Sequence, residues 1–232
     1  IYENSPVKSL TQNGNWIATT PNGSVTARKV ILAVNGHLNS FGFLPNHLMH
    51  VFTYASMTRA LSSQESRQLG GQSVWGITPA DPMGTTIRRI RSSKGNRIVV
   101  RNRFTYDPSM EVSDKRIKVV ARDHDRAFHA RFPMLANVLM QYRWGGRLCL
   151  SRNNVSVVKE LEDGLYSACC QNGLGTTRGT LSGLLAAELA TGTRSARLDR
   201  ALAAPSPTKL LPQFLSKPGA AAFLKWQEMK AG

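Results

Sequence analysis

Long apolar runs, metal-binding cysteine patterns and an early dinucleotide fingerprint are all missing from this chain of 232 residues. No stretch reaches the roughly 18 consecutive apolar residues that a membrane-spanning helix requires, so no membrane span is predicted. The three cysteines, Cys149, Cys169 and Cys170, lack the spacing of a metal site and cannot all form disulfides. This usage is typical of a reducing compartment and favours the cytoplasm. Free cysteine most often packs as a small apolar residue, so the vicinal pair Cys169-Cys170 is predicted to pack in the core.

Acidic residues are also scarce: 14 Asp and Glu stand against 30 Lys and Arg, which gives a formal net charge of +16. The segment from 88 to 131 contains thirteen Lys and Arg but five Asp and Glu, and this segment therefore contributes half of the net positive charge. A solvated basic face, a surface that attracts carboxylated substrates and a nucleic-acid-binding module are three explanations of such a run. The third is the least favoured, because few aromatic residues are interleaved to stack on bases.

The segment from Leu165 to Gly192 has the pattern of a strand, a glycine-rich turn and a helix. A strand is predicted over 165–170, the turn over 172–175 and the helix over 176–190. Glycines let a backbone approach a ligand closely, and a helix N-terminus presents unpaired N–H groups with a partial positive charge. An ordinary strand-to-helix turn has the same pattern, so the pattern alone leaves a ligand site and a structural turn both open.

This segment resembles the last strand, turn and helix of FAD-dependent oxidoreductases of the D-amino-acid oxidase superfamily. That superfamily includes glycine, sarcosine and γ-glutamylputrescine oxidase-like enzymes. Its members carry Gly-His-Gly or a variant at this turn, where this chain has Gly173, Leu174 and Gly175, and a further glycine follows at Gly183. Other stretches resemble the superfamily in the same order: Ile1–Val7, Ala33–His37, Phe132-Pro133, Tyr142–Gly146, and the tail segments 211–214 and 223–226.

The resemblance implies an FAD cofactor and hydride transfer to it from a carbon next to an amine nitrogen, in an amine or amino-acid substrate. It also implies a set of cofactor-binding residues: Ala33, Asn35, Gly36, Trp144, Gly145, Asn172, Gly173, Leu174, Gly175 and Thr176. Enzymes near glycine oxidase hold the substrate carboxylate with an arginine before the last strand. The aligned run here, 148–156, has lost that arginine at the matching position. Arg147 or Arg89 could hold the acid group instead, or the substrate is an amine that needs no such clamp.

The resemblance also implies an α+β fold: the late part of a Rossmann-like FAD-binding domain with a β-meander, and an antiparallel-sheet substrate domain with a covering helix. The predicted segments are 1–50 and 146–200 in the FAD domain, 51–145 in the substrate domain, and a surface tail over 201–232. Superfamily members carry the dinucleotide fingerprint in a half-domain that precedes such residues. The missing ADP-binding half of the same enzyme is therefore an expected partner. The alternative is a non-catalytic binding protein or truncated fragment that retains the fold.

The substrate domain is predicted to contain strands over 51–59, 73–77, 85–91 and 97–104, followed by a helix over 115–131. His124 and His129 in that helix are predicted to lie on the surface. His47 and His50 could share one face of a helical turn, but no further ligands are placed nearby. Zinc requires such ligands, so no metal site is predicted.

Overall fold

A computed structural model describes residues 1–81 and 83–211, with the single positions 219, 222, 224 and 226. These residues form two compact units, one over 1–49 and 148–211 and the other over 50–147. Most of the two tail segments that carry part of the resemblance, 211–214 and 223–226, lies outside the described residues.

The first unit contains an antiparallel meander and a small sheet with one parallel pair. The meander consists of β1 (Ser9–Asn13), β2 (Asn15–Thr20) and β3 (Gly23–Ala27). The sheet has the order β10-β11-β4, from β4 (Val30–Leu32), β10 (Val157–Glu162) and β11 (Leu165–Cys169). The helices are a 3-10 helix (Asn35–Phe41), α3 (Gly175–Thr191) and α4 (Ala196–Ala203).

The core of the first unit forms between the meander, β4 and β11. Trp16 is buried there, and its indole Nε1 donates to the Asp163 carbonyl at 2.9 Å. Cys149, Cys169 and Cys170 are all buried free thiols in this core. Burial raises the pKa of Cys169, which favours its neutral form. The predicted packing role of Cys169 and Cys170 is therefore confirmed, and Cys149 lies in the same core.

The second unit is a five-stranded sheet, crossed on one face by a helix. Its strand order is β6-β7-β8-β5-β9, from β5 (Leu48–Thr58), β6 (Trp75–Ile77), β7 (Thr86–Ser92), β8 (Gly95–Tyr106) and β9 (Met140–Ser151). The helices are α1 (Ser63–Leu69), α2 (Asp114–Arg131) and a 3-10 helix (Pro133–Leu135). The predicted antiparallel sheet, its covering helix and the α+β fold class are confirmed.

α2 packs on the sheet because its apolar side chains recur at helical spacing. Phe128 is 1% exposed and belongs to the same core cluster as Ile87, Ile98 and Val100, which alternate along β7 and β8 toward that face. The Ser113 hydroxyl caps the helix by accepting from the Arg116 amide at 3.3 Å.

His124 corrects the sequence analysis, which placed it on the surface. Its side chain is 1% exposed, and Nδ1 lies 2.7 Å from the Ser56 hydroxyl on β5. Ser56 also accepts from Arg143 at 3.3 Å, and Arg143 forms a double contact with the Asp125 carboxylate. The charged residues around His124 in the sequence therefore favoured a surface position, although its side chain belongs to a buried polar network beneath α2.

Acid is expected to destabilise the second unit through His124. Burial lowers its pKa, the charge of Arg143 acts in the same direction, and Asp125 and Asp123 act against it. Because the folded chain disfavours the charged ring, the unfolded chain binds more protons below pH ~6.5. Stability should therefore fall as the pH drops below that value, by at most about 1.4 kcal/mol per pH unit.

Thermal unfolding between pH 8 and pH 5 measures this effect, with His124→Gln expected to flatten the slope. The exposed His129 on the same helix provides the control, since His129→Gln should leave the slope unchanged. Glu65, whose pKa is lowered to about 2 chiefly by a hydrogen bond from Arg59, loses its contribution only below pH ~4.5. If the melting temperature of His124→Gln depends on pH as steeply as that of the native protein, His124 is not the cause of the acid sensitivity.

Candidate functional site

The carboxyl ends of the parallel strands β4 and β11 meet at one edge of the sheet in the first unit. The Asn35 Oδ1 atom, just after β4, accepts from the backbone N–H of Gln171, just after β11, at 3.3 Å. Ligands in α/β proteins bind outside the carboxyl ends of parallel strands. The structure therefore brings the predicted residues around Asn35 and around Gly173 together at a typical ligand-binding edge.

The two loops at this edge hold several residues in the left-handed backbone region. The φ angles are 48° at Asn35, 59° at Cys170, 51° at Asn172 and 78° at Gly173. Residues other than glycine adopt this region at a cost and are enriched at ligand-binding and active sites. The geometry of these loops is consistent with the prediction of a binding turn.

Asn172 holds the turn in place through its side chain. Its Oδ1 accepts from the Ser151 N–H at 2.7 Å, and its Nδ2 donates to the carbonyls of Val155 and Cys170 at 2.9 and 3.1 Å. The resemblance implies that Asn172 contacts the cofactor, and that contact stays a prediction. The structure gives its amide a positioning role, since both ends of the amide are bonded to the chain itself.

The start of α3 presents free donors to the surface. Leu174 precedes the helix and is 55% exposed, without a side-chain hydrogen bond that caps the first turn, and that turn contains no acidic residue. A Cβ added at Gly175 would meet no described atom within 4 Å. Gly175 and Thr176 are exposed, so their amides and the helix dipole are accessible to an electron-rich or anionic group. These residues fit the flavin that the sequence analysis expected.

A cavity of about 720 Å³ lies beside β4, which is an edge strand of its sheet. Val34 and His37 line it from the loop and the 3-10 helix after β4, and Lys8 and Leu10 line it from the segment around the start of β1. Of the predicted residues in this loop, Ala33 is exposed and Gly36 is buried at the start of the 3-10 helix. A space of this size, lined by apolar side chains together with Lys8, Ser9, His37 and Ser40, can hold a further segment of chain or part of a cofactor.

Trp144 and Gly145 lie in the second unit, on β9. The Trp144 side chain is 40% exposed. A Cβ at Gly145 would come within 3.0 Å of Val112 Cγ1 and 3.4 Å of the Phe52 ring, so this glycine allows close packing within the unit. Their contact with the cofactor stays a prediction.

The two arginines proposed for the substrate have different surroundings. Arg89 is 3% exposed, and its Nη1 atom donates to the carbonyls of Gly70 and Gln72 at 2.6 and 3.0 Å. These contacts give Arg89 the role of holding the 70–72 loop. Arg147 is exposed, with its guanidinium carbon 5.9 Å from the centre of the Phe52 ring, and it remains the stronger candidate for a carboxylate ligand.

Within 1–81 and 83–211 and the four single positions, no group of three or more His, Cys, Asp and Glu side chains is placed to hold a metal ion. In the same part of the chain, no helix combines the length and apolar character needed to cross a membrane.

Residues 1–189 match the family model of FAD dependent oxidoreductases (DAO), and the chain belongs to this family. The "Probable oxidoreductase OrdL" of Rhizobium meliloti (strain 1021) is 24% identical over 203 residues, which is 86% of this chain and 44% of that protein. Glycine oxidase from Geobacillus kaustophilus shares the fold with a TM-score of 0.65 at 19% identity, over 91% of this chain and 54% of that one. Fructosamine oxidase from Aspergillus fumigatus gives a TM-score of 0.66 at 14% identity, over 84% and 49%. The chain thus spans about half the length of these proteins.

Proposed function

We propose that this chain is the C-terminal part of a flavin-dependent oxidoreductase that acts on an amine or amino acid. One observation carries the proposal: Asn35 and Gln171 join two strand ends beside the uncapped start of α3. Membership of an FAD-dependent family supports the cofactor, and the structural similarity to oxidases of glycine and fructosamine supports an amine substrate.

FAD, when bound, supplies the acceptor for the hydride. On this chain, the amides of Gly175 and Thr176 and the dipole of α3 would stabilise negative charge on the reduced cofactor. Gly173 and Gly175 keep the backbone accessible, and Asn172 fixes the turn that presents it. The exposed Leu174 stands where the family often has histidine, so this position contributes no titratable group.

We also propose that an ADP-binding half of the same enzyme packs beside β4. Three observations support this partner: β4 is an edge strand, Ile31 on it is 40% exposed, and the 720 Å³ cavity lies next to it. An unpaired strand edge is a template for a further strand. The chain also spans about half the length of its relatives.

Anaerobic reduction tests the proposed reaction directly. The protein produced from its complete gene is purified, and its flavin absorption is followed while amino acids and secondary amines are added, with glycine and a fructosyl amine among them. We expect at least one of these compounds to bleach the flavin bands, and oxygen to restore them. Flavin that stays oxidised with every amine, yet is reduced by dithionite, would contradict an amine-oxidising function while leaving the family membership intact.

A further inference from the structure

A cavity of about 270 Å³ opens on the sheet of the second unit, at the end formed by the β7–β8 hairpin. Ile90 pairs with Arg97 across the two strands, and both line the cavity. Side chains alternate between the faces of a strand. Ile90 and Arg97 therefore lie on the opposite face from Ile98 and Val100, against which α2 packs.

The base of the cavity contains a buried positive charge. Arg97 is 6% exposed, and its Nη1 atom donates to the Thr58 carbonyl at 2.8 Å and to Gln141 Oε1 at 2.7 Å. Its guanidinium carbon lies 5.3 Å from the centre of the Tyr142 ring. Among the described residues, no carboxylate lies within ion-pair distance of Arg97. A buried charge without a counter-charge is costly, and a bound anion offsets that cost.

The walls and rim of the cavity define what kind of anion fits. Lys94 adds a second, exposed positive charge at the rim, and no Asp or Glu belongs to the lining. Met57, Ile90 and the Tyr142 ring supply apolar surface. A planar guanidinium pairs with either a carboxylate or a phosphate, and the apolar walls favour an anion that carries an apolar body.

We propose that this cavity binds a small monocarboxylate with an apolar body. The carboxylate would lie between Arg97 and Lys94, and the apolar body would lie against Met57, Ile90 and Tyr142. Alternation along β8 does not show whether Arg97 is buried, so the sequence placed it only within the basic run from 88 to 131. The proposal goes beyond the oxidoreductase function and does not depend on flavin.

An NMR titration of the full chain with benzoate tests the proposal. We expect saturable shifts of the backbone amides from Ser92 to Gly95. Lys94→Gln should weaken binding about threefold, because it removes one exposed charge. Arg97→Lys should weaken it about tenfold, because the charge remains while the paired donors of the guanidinium are lost.

The control is Arg91→Gln, which removes one exposed charge from the opposite face of the same hairpin and should leave the affinity unchanged. Benzyl alcohol, which lacks the charge, should not bind. If Arg97→Lys lowers the melting temperature, its weaker binding could come from lost stability. In that case the benzoate affinity of Lys94→Gln is compared with that of Arg91→Gln to test the proposal. Equal weakening by those two variants, no saturable binding of benzoate, or tighter binding of inorganic phosphate than of benzoate would each overturn the proposal.

Discussion

Replacing Gly175 by leucine is expected to abolish flavin binding while the fold persists. The position tolerates a side chain, since an added Cβ meets no described atom within 4 Å and the backbone is not left-handed there. A leucine would nevertheless cover the first amides of α3, where the cofactor is proposed to approach. We expect the affinity for FAD to fall by at least about 100-fold, or roughly 2.7 kcal/mol.

Flavin content after purification and titration of the apoprotein with FAD measure this loss in the protein made from its complete gene. Ala187→Leu is the matched control: it adds the same side chain at an exposed position of α3, three turns further along. That control should retain flavin, and both variants should keep the native melting temperature within a few degrees. Undiminished flavin binding in Gly175→Leu would show that the start of α3 does not contact the flavin.

Asn172→Ala is expected to destabilise the first unit by about 2–5 kcal/mol. The substitution leaves the Ser151 N–H without its acceptor, in a residue that is 5% exposed. An unpaired buried donor costs about 1–3 kcal/mol, and alanine in the left-handed region adds about 1–2 kcal/mol. Chemical denaturation measures the total loss in the free energy of unfolding. Faster hydrogen exchange at the Ser151 amide would show that the loss arises at this turn.

Asn172→Gly separates the two causes of this loss. Glycine accepts a φ of 51° without strain but cannot replace the amide, so its loss should be smaller than that of alanine by about 1 kcal/mol. Flavin affinity should fall in both variants, because the turn that presents Gly175 is no longer fixed. If Asn172→Ala is as stable as the native protein, the positioning role is wrong.

Regular patterns made much of the fold predictable. The hairpin of β7 and β8 and the helix α2 differ from prediction by one or two residues at most ends. The alternation of apolar residues made these predictions possible, and the glycine turn at 172–175 marked the start of α3. β4 ends at Leu32, and the chain enters a 3-10 helix at Asn35.

Features that depend on contacts far apart in the sequence were not predictable. The link between Asn35 and Gln171 joins residues 136 positions apart, and the burial of His124 and Arg97 follows from packing of the sheet. α1 was missed although its capping box was readable: the Ser62 hydroxyl accepts from the Glu65 amide, and the Glu65 carboxylate accepts from the Ser62 amide. α4 was also missed, and it crosses the predicted boundary at residue 200 between the FAD domain and the tail.

The visible absorption spectrum of the purified protein tests the central claim most directly. The protein should be produced from its complete gene without added flavin and passed through a desalting column before measurement. We predict the two visible bands of oxidised flavin at close to one flavin per chain, and their loss in Gly175→Leu but not in Ala187→Leu. A colourless native protein that stays colourless after incubation with FAD, while keeping a cooperative unfolding transition, would contradict the account.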